Sequence, residues 1–105
     1  MTRVRLDLNN PEFQGQLSAL QKQERNEVLG TLKKLHQMTW EQVYVDRGLR
    51  WERILSKQGT RGESLYTIRM GRGFRAVAYR DGDLMVFLTL NAAEAVLRVA
   101  ADQGL

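Results

Sequence analysis

The stretch LYTIRMGRGFRAVAYRDGD, Leu65 to Asp83, carries Arg69, Arg72, Arg75 and Arg80 and no acidic residue before Asp81. Guanidinium groups are permanently charged planar forks that match the oxygens of phosphate and carboxylate. Gathered on a sheet, they can hold a polyanion or stabilise the charge that develops on a phosphate during phosphodiester cleavage. The formal net charge of the 105-residue chain is +4. From Leu65 to Arg80 these are the only charged residues, so that part of the stretch holds a charge equal to the whole excess, while the remainder of the chain balances to zero. A local surplus of that kind suits an anionic partner, either nucleic acid or an acidic protein.

Other chemistries are poorly provided for. There is no cysteine and one histidine, His36, so disulfides, thiolate nucleophiles and a zinc site lack their ligands, and neither metal nor cofactor is expected. His36 stands beside Leu35 in a helical pattern and reads as a surface residue rather than a base. Trp40 and Trp51 could stack bases, but beside Val43, Tyr44 and Leu49 they read as core or boundary residues. Glu52 could orient an arginine or form a simple surface pair. Arg47, Arg50, Arg53, Lys57 and Arg61 extend the basic character upstream, as a polyanion track or a solvated surface would. The N-terminal MTRVRLDLNN lacks the apolar core of a signal peptide, and no run approaches the roughly 18 apolar residues of a membrane span. The cytoplasm is the expected location, with no membrane partner.

The elements that would position these arginines are those of one α+β domain spanning residues 1–105. Val4, Leu6 and Leu8 alternate with charged residues as a strand with one buried face does. Asn10 and Pro11 supply a helix cap and first helical residue. Phe13, Leu17 and Leu20, then Val28, Leu32 and Leu35, continue one apolar helical face. The polar stretch QKQERNE, Gln21 to Glu27, either lies within one long helix or bends a helical hairpin. MTWEQVYVDRGLRWERILS predicts a loop through Gly48 and a strand near Leu49 to Leu55. Strands follow at Leu65 to Met70, Phe74 to Arg80 and Leu84 to Leu90, the last apolar enough to be covered on both faces. Asp-Gly in RDGD favours a tight turn with both central residues at positive φ. Asn91, with Glu94 three residues on, reads as the cap of a final helix.

A turn centred on Arg72 would pair Met70 with Phe74, Arg69 with Arg75, Ile68 with Ala76 and Tyr66 with Ala78. Those apolar residues then share the face beneath the helices, with Arg69, Arg75, Thr67, Val77 and Tyr79 on the other. Two arginines directly opposite one another cost about 0.2–1 kcal/mol. Either Glu52, Glu63, Asp83 or solvent offsets that cost, or an anionic ligand does.

LYTIR followed by GFRAVAYRDGD, within this order of strand, helices and antiparallel strands, resembles the RelE/ParE toxin superfamily. The matching positions are Tyr66, Ile68, Arg69, Gly73, Phe74, Arg75 and, one residue late, Tyr79. The resemblance implies a helical hairpin, bent near Gln21 to Arg25, on a curved and mostly antiparallel sheet of four to five strands with a short C-terminal helix. It also implies a cognate antitoxin as partner, and in the RNA-cleaving branch messenger RNA on the ribosome, cut without metal by attack of the ribose 2′-hydroxyl. Carried over, Arg75 matches the arginine that stabilises the phosphate and Arg69 a basic residue of the preceding strand. Tyr79 completes the expected catalytic set, with Arg50, Arg53, Arg61, Arg72 and Arg80 as the RNA-binding set. The chain departs from the pattern at Thr67, where nuclease members often carry lysine, and after the last strand, where Asn91, Glu94 and Arg98 replace the usual histidine, arginine or tyrosine. No residue is an obvious general acid or base. A gyrase inhibitor, or a relative that only holds RNA or an antitoxin, therefore stands beside the nuclease reading.

Overall fold

A computed structural model of the chain describes residues 2–93. The elements run β1 (Arg5–Asp7), α1 (Pro11–Ala19), α2 (Lys22–His36), α3 (Trp40–Val45), β2 (Glu52–Gln58), β3 (Ser64–Gly71), β4 (Phe74–Asp81) and β5 (Leu84–Ala92). The strands form one five-stranded sheet in the order β1-β5-β4-β3-β2. Only β1 and β5 are parallel, and the other neighbours are antiparallel. None of the described helices is long and apolar enough to cross a membrane.

The helices cover one face of the sheet, α1 against β5 and α2 against β3. Their apolar stripe, Phe13, Val28, Leu32 and Leu35, meets Ile68 and Met70 of β3, Ala76 and Ala78 of β4, and Met85, Phe87 and Leu90 of β5. The alanines of β4 leave room for large neighbours, and the Phe13 and Phe87 rings approach to 5.1 Å. Val4 is buried in the same cluster, with Leu6 and Leu8 packed against it, as the alternation at the N-terminus requires.

The expected helical hairpin is present, and its bend falls at Leu20–Gln21, at the very start of the polar stretch. QKQERNE then opens α2. Gln21 and Glu24 cap it reciprocally, and the Arg25 guanidinium donates to the carbonyl of Leu20 at 3.1 Å, so polar side chains start this helix where a composition argument would break it. Asn10 caps α1 as expected, its side chain accepting from the Glu12 amide at 2.8 Å.

The segment after α2 corrects the sequence reading. Residues 40–45 form α3, opened by Thr39 and Gln42, which exchange backbone and side-chain bonds at 3.2 and 2.9 Å. Trp40 and Val43, three apart, are fully buried. The strand that follows begins at Glu52 rather than Leu49. Asp46 delays it by accepting from the amides of Gly48 and Leu49 at 2.8 and 2.9 Å.

The β3–β4 register pairs Arg69 with Arg75, Ile68 with Ala76, and Tyr66 with Ala78, as the sequence predicts. At the turn a register shift sets Gly71, not Met70, opposite Phe74, and Gly73 takes φ +75°. The β4–β5 turn also differs. Gly82 alone has positive φ there, +62°, an arrangement that needs glycine at one central position and leaves Asp83 unstrained. β5 is buried on one face and half-buried on the other. It runs to Ala92, so Asn91 is a strand residue opposite Arg75 rather than a helix cap. The rest of the expected final helix, with Glu94 and Arg98, lies outside the described residues.

Candidate anion site

Arg75 lies on the sheet face turned away from the helices, because its neighbours Ala76 and Phe74 point to the core side. It is nevertheless only 4% exposed. Its Nη2 donates to Thr67 Oγ1 at 2.6 Å, to the Arg50 carbonyl at 3.0 Å and to Glu52 Oε1 at 3.4 Å. Its Nε–H is buried with no acceptor among the described residues. Glu52 also pairs with Arg50 Nε at 3.6 Å. Arg69, directly opposite Arg75, is exposed and meets no carboxylate among the described residues.

Two guanidiniums, those of Arg50 and Arg75, thus share one carboxylate, with Arg69 opposite Arg75 on the neighbouring strand. Burial pulls the Arg75 pKa down from its usual value, Glu52 pushes it back up, and Arg50 and Arg69 pull it down again. A guanidinium stays charged regardless, so the unfavourable surroundings appear as a cost of holding the cation rather than as loss of a proton.

Arg50 reaches this corner on a strained backbone. Its φ of +52° is the one positive value at a non-glycine among the described residues, a conformation that costs on the order of 1 kcal/mol or more. The Asp46 loop sets it there. Lys34 holds Asp46 at 3.1 Å, Asp46 holds the amides of Gly48 and Leu49, and the Arg69 amide donates to the Leu49 carbonyl at 2.7 Å, which locks the loop to β3. The Asp46 pKa is lowered, first by the Leu49 amide and, against the opposing effect of burial, by Lys34.

Of the arginines singled out in the sequence, Arg50, Arg69 and Arg75 come together, and Arg72 sits close by on the exposed β3–β4 turn. The others do not join them. Arg53 pairs with Tyr66 across β2–β3 and so faces the helix side. Arg61 lies in the β2–β3 connection at the far end of β3, where its amide donates to Glu63 Oε1 at 2.7 Å. Arg80 lies over the Trp40 ring, 4.5 Å from its centre, and donates to Tyr44 Oη at 2.6 Å. Tyr79 shares the Arg75 face but lies about 13 Å along the strand at ~3.3 Å per residue. His36 is exposed at the end of α2, away from the cluster.

Sequence reasoning read Thr67 as a missing lysine and passed over its positive role as the acceptor closest to Arg75. The register carried that signal, since Thr67 is the diagonal neighbour of Arg75 on the same face. Lys34 was missed altogether, and a lysine on an exposed helical turn gives no sequence signal. The arrangement is equipped to bind an anion. Among the described residues it brings no group that titrates near neutrality to the arginines.

No protein-family model matches the chain, and no curated protein sequence matches it. Among solved structures, a chain of the archaeal RelE–RelB complex from Pyrococcus horikoshii superimposes with a TM-score of 0.57 and 21% identity, covering 88% of this chain and 96% of that one. A copper-bound mutant toxin from Helicobacter pylori aligns with a TM-score of 0.45 and 17% identity, over 91% of this chain and 99% of that one. The likeness to that chain of the archaeal complex defines the fold alone, which is RelE-like.

Proposed function

We propose that the chain is the toxin of a type II toxin–antitoxin pair, acting in the cytoplasm on messenger RNA at the ribosome and neutralised by a cognate antitoxin. The RelE-like fold supports the toxin and its antitoxin partner. The observation that carries the RNA reading is that Arg50 and Arg75 share the single carboxylate of Glu52 while Arg69, opposite Arg75, meets none among the described residues. That corner has positive charge to spare and a donor, Arg75 Nε, without an acceptor among the described residues. A phosphate placed there would receive the exposed fork of Arg69 and be polarised by Arg75 behind it. Charge accumulating on phosphorus as the 2′-hydroxyl attacks would be stabilised by donors already held in place.

One observation favours a second reading, in which the chain holds RNA or an antitoxin without cutting. Arg75 is buried and its Nη2 is already committed to protein acceptors, and Tyr79 stands beyond direct reach. Induced expression in a bacterial host of the wild type and an Arg69→Ala, Arg75→Ala double variant separates the two, with growth and message ends followed together. Growth arrest with new breaks in translated message, both abolished in the double variant, is the expected result. Arrest without breaks would turn attention to a protein target such as gyrase, and undisturbed growth would leave only the binding role.

A further inference from the structure

A groove of about 420 Å³ opens beside the anion site, between α2 and the β3–β4 turn, with Gly30, Thr31, Lys34, Leu49, Arg69 and Arg72 in its lining. This lies within the roughly 300–1,000 Å³ typical of ligand pockets. Arg69 belongs to both the groove and the arginine corner and so joins the two, while Glu27 adds a carboxylate to the lining near the β3–β4 turn. Two of the polar groups in the groove are already used. Thr31 Oγ1 donates to the Met70 carbonyl at 2.8 Å, and Lys34 is paired with Asp46. The cations left without a partner among the described residues are Arg69 and Arg72.

Gly30 supplies an independent observation. It lies inside α2, is exposed, and a Cβ built on it would meet nothing within 4 Å. Alanine there would fit without strain and would favour the helix by about 1 kcal/mol. Nothing among the described residues requires glycine at that position. What a side chain would obstruct is a body entering the groove and approaching the helix backbone.

We infer that this groove is a nucleotide subsite, taking the residue of a single-stranded RNA adjacent to the phosphate held at the Arg50–Arg69–Arg75 corner. Its own phosphate meets Arg72, with Arg69 between the two phosphates, and its base or sugar lies against the bare backbone at Gly30 and the side of Leu49. The inference rests on the reading of the corner as an RNA site. RNA suits the groove better than an acidic peptide does. A carboxylate on a flexible side chain could reach Arg69 and Arg72 without a cleared helix surface, whereas a base carried close behind each phosphate needs that room.

The test is fluorescence anisotropy of the full chain with a 2′-O-methyl oligouridylate of nine nucleotides, which binds but cannot be cleaved, over a range of salt concentrations. Gly30→Leu, which fills the groove with a good helix former, is expected to weaken binding about tenfold, the loss of one nucleotide's seat. Arg72→Ala, on an exposed turn, is expected to weaken binding and reduce the salt slope by about one. Gly30→Leu is expected to melt at or above the wild-type temperature, which excludes loss of folding as the cause. If wild type binds the oligomer and both Gly30→Leu and Arg72→Ala bind it equally well, the subsite is refuted and the RNA reading of the corner survives. If wild type binds no RNA, the corner reading fails and takes the subsite with it. If Gly30→Leu leaves RNA binding intact and abolishes binding of polyglutamate, the occupant is an acidic protein and the inference is overturned.

Discussion

A buried guanidinium is tolerable only when its donors are used, and Arg75 comes close to that limit. Thr67, Glu52 and the Arg50 carbonyl serve one of its nitrogens, and Nε is left over. Thr67 is the partner whose loss is cleanest to study, because valine has nearly its shape and none of its hydrogen bonding. Thr67→Val removes the shortest of the three contacts from a buried charge, so it is expected to lower unfolding free energy by about 1–3 kcal/mol, read from urea denaturation, with Thr67→Ser recovering most of the loss. Equal stability of the valine variant and wild type would mean that the hydroxyl does not support Arg75. The neighbouring Glu52 is a weaker candidate. Its side chain is 56% exposed, and solvent screens much of what it contributes.

Among the elements, the connection from α3 to β2 depends most on a single side chain. Asp46 accepts two loop amides, pairs with Lys34, and thereby fixes the left-handed Arg50 whose carbonyl supports Arg75. Its folded-state pKa is lowered, so the unfolded chain takes up the proton first as pH falls. The stabilisation is therefore complete above the unfolded value of about 3.9 and fades as pH drops through the folded one. Asp46→Asn is expected to be less stable near neutrality and to lose less stability than wild type on acidification below about pH 4, as urea unfolding across pH would record. Parallel curves for the two proteins would contradict it.

That same connection marks where the sequence stops being legible. The two β-hairpins declared themselves through alternation and through glycines at Gly73 and Gly82, and the Arg69–Arg75 pairing followed from them. α3 did not, because six residues give too short a window for helical periodicity, although Thr39 and Gln42 carried a capping-box spacing. Of the site, the hairpin half was readable as charge on one face. The Arg50 carbonyl was not, since a backbone group aimed by a positive φ leaves no trace in residue type. Arg80 was misleading for a related reason. Its strand position placed it beside Met85, but only the packing of α3 puts Trp40 and Tyr44 beneath it.

At the scale of the whole molecule, the sheet gives its two faces separate tasks. One carries the core under three helices, and the other carries the charged corner, so a change at Arg69 or Arg72 can alter binding without disturbing the hydrophobic cluster. β5 is what joins the two ends of the chain to that plan. It receives β1 in parallel, aligns Arg5 with Leu84, and brings Phe87 onto Phe13. Its amide at Leu90 also donates to Gln16 Oε1 at 2.6 Å. A chain ending at Asp83 is accordingly expected to show no cooperative urea transition. A sharp transition in that fragment would mean that the helices and the β2–β4 meander are self-sufficient.

The parallel β1–β5 pair has a consequence in time. During synthesis, the N-terminal strand, both hairpin helices and the arginine-bearing strands leave the ribosome while the strand that must seat between β1 and β4 is still untranslated. Pairings so far apart in sequence close slowly, and domains assemble as units once their parts are available. The nascent chain would therefore remain without its finished sheet until β5 has been made, and a partner protein made at the same time would have that interval in which to meet it.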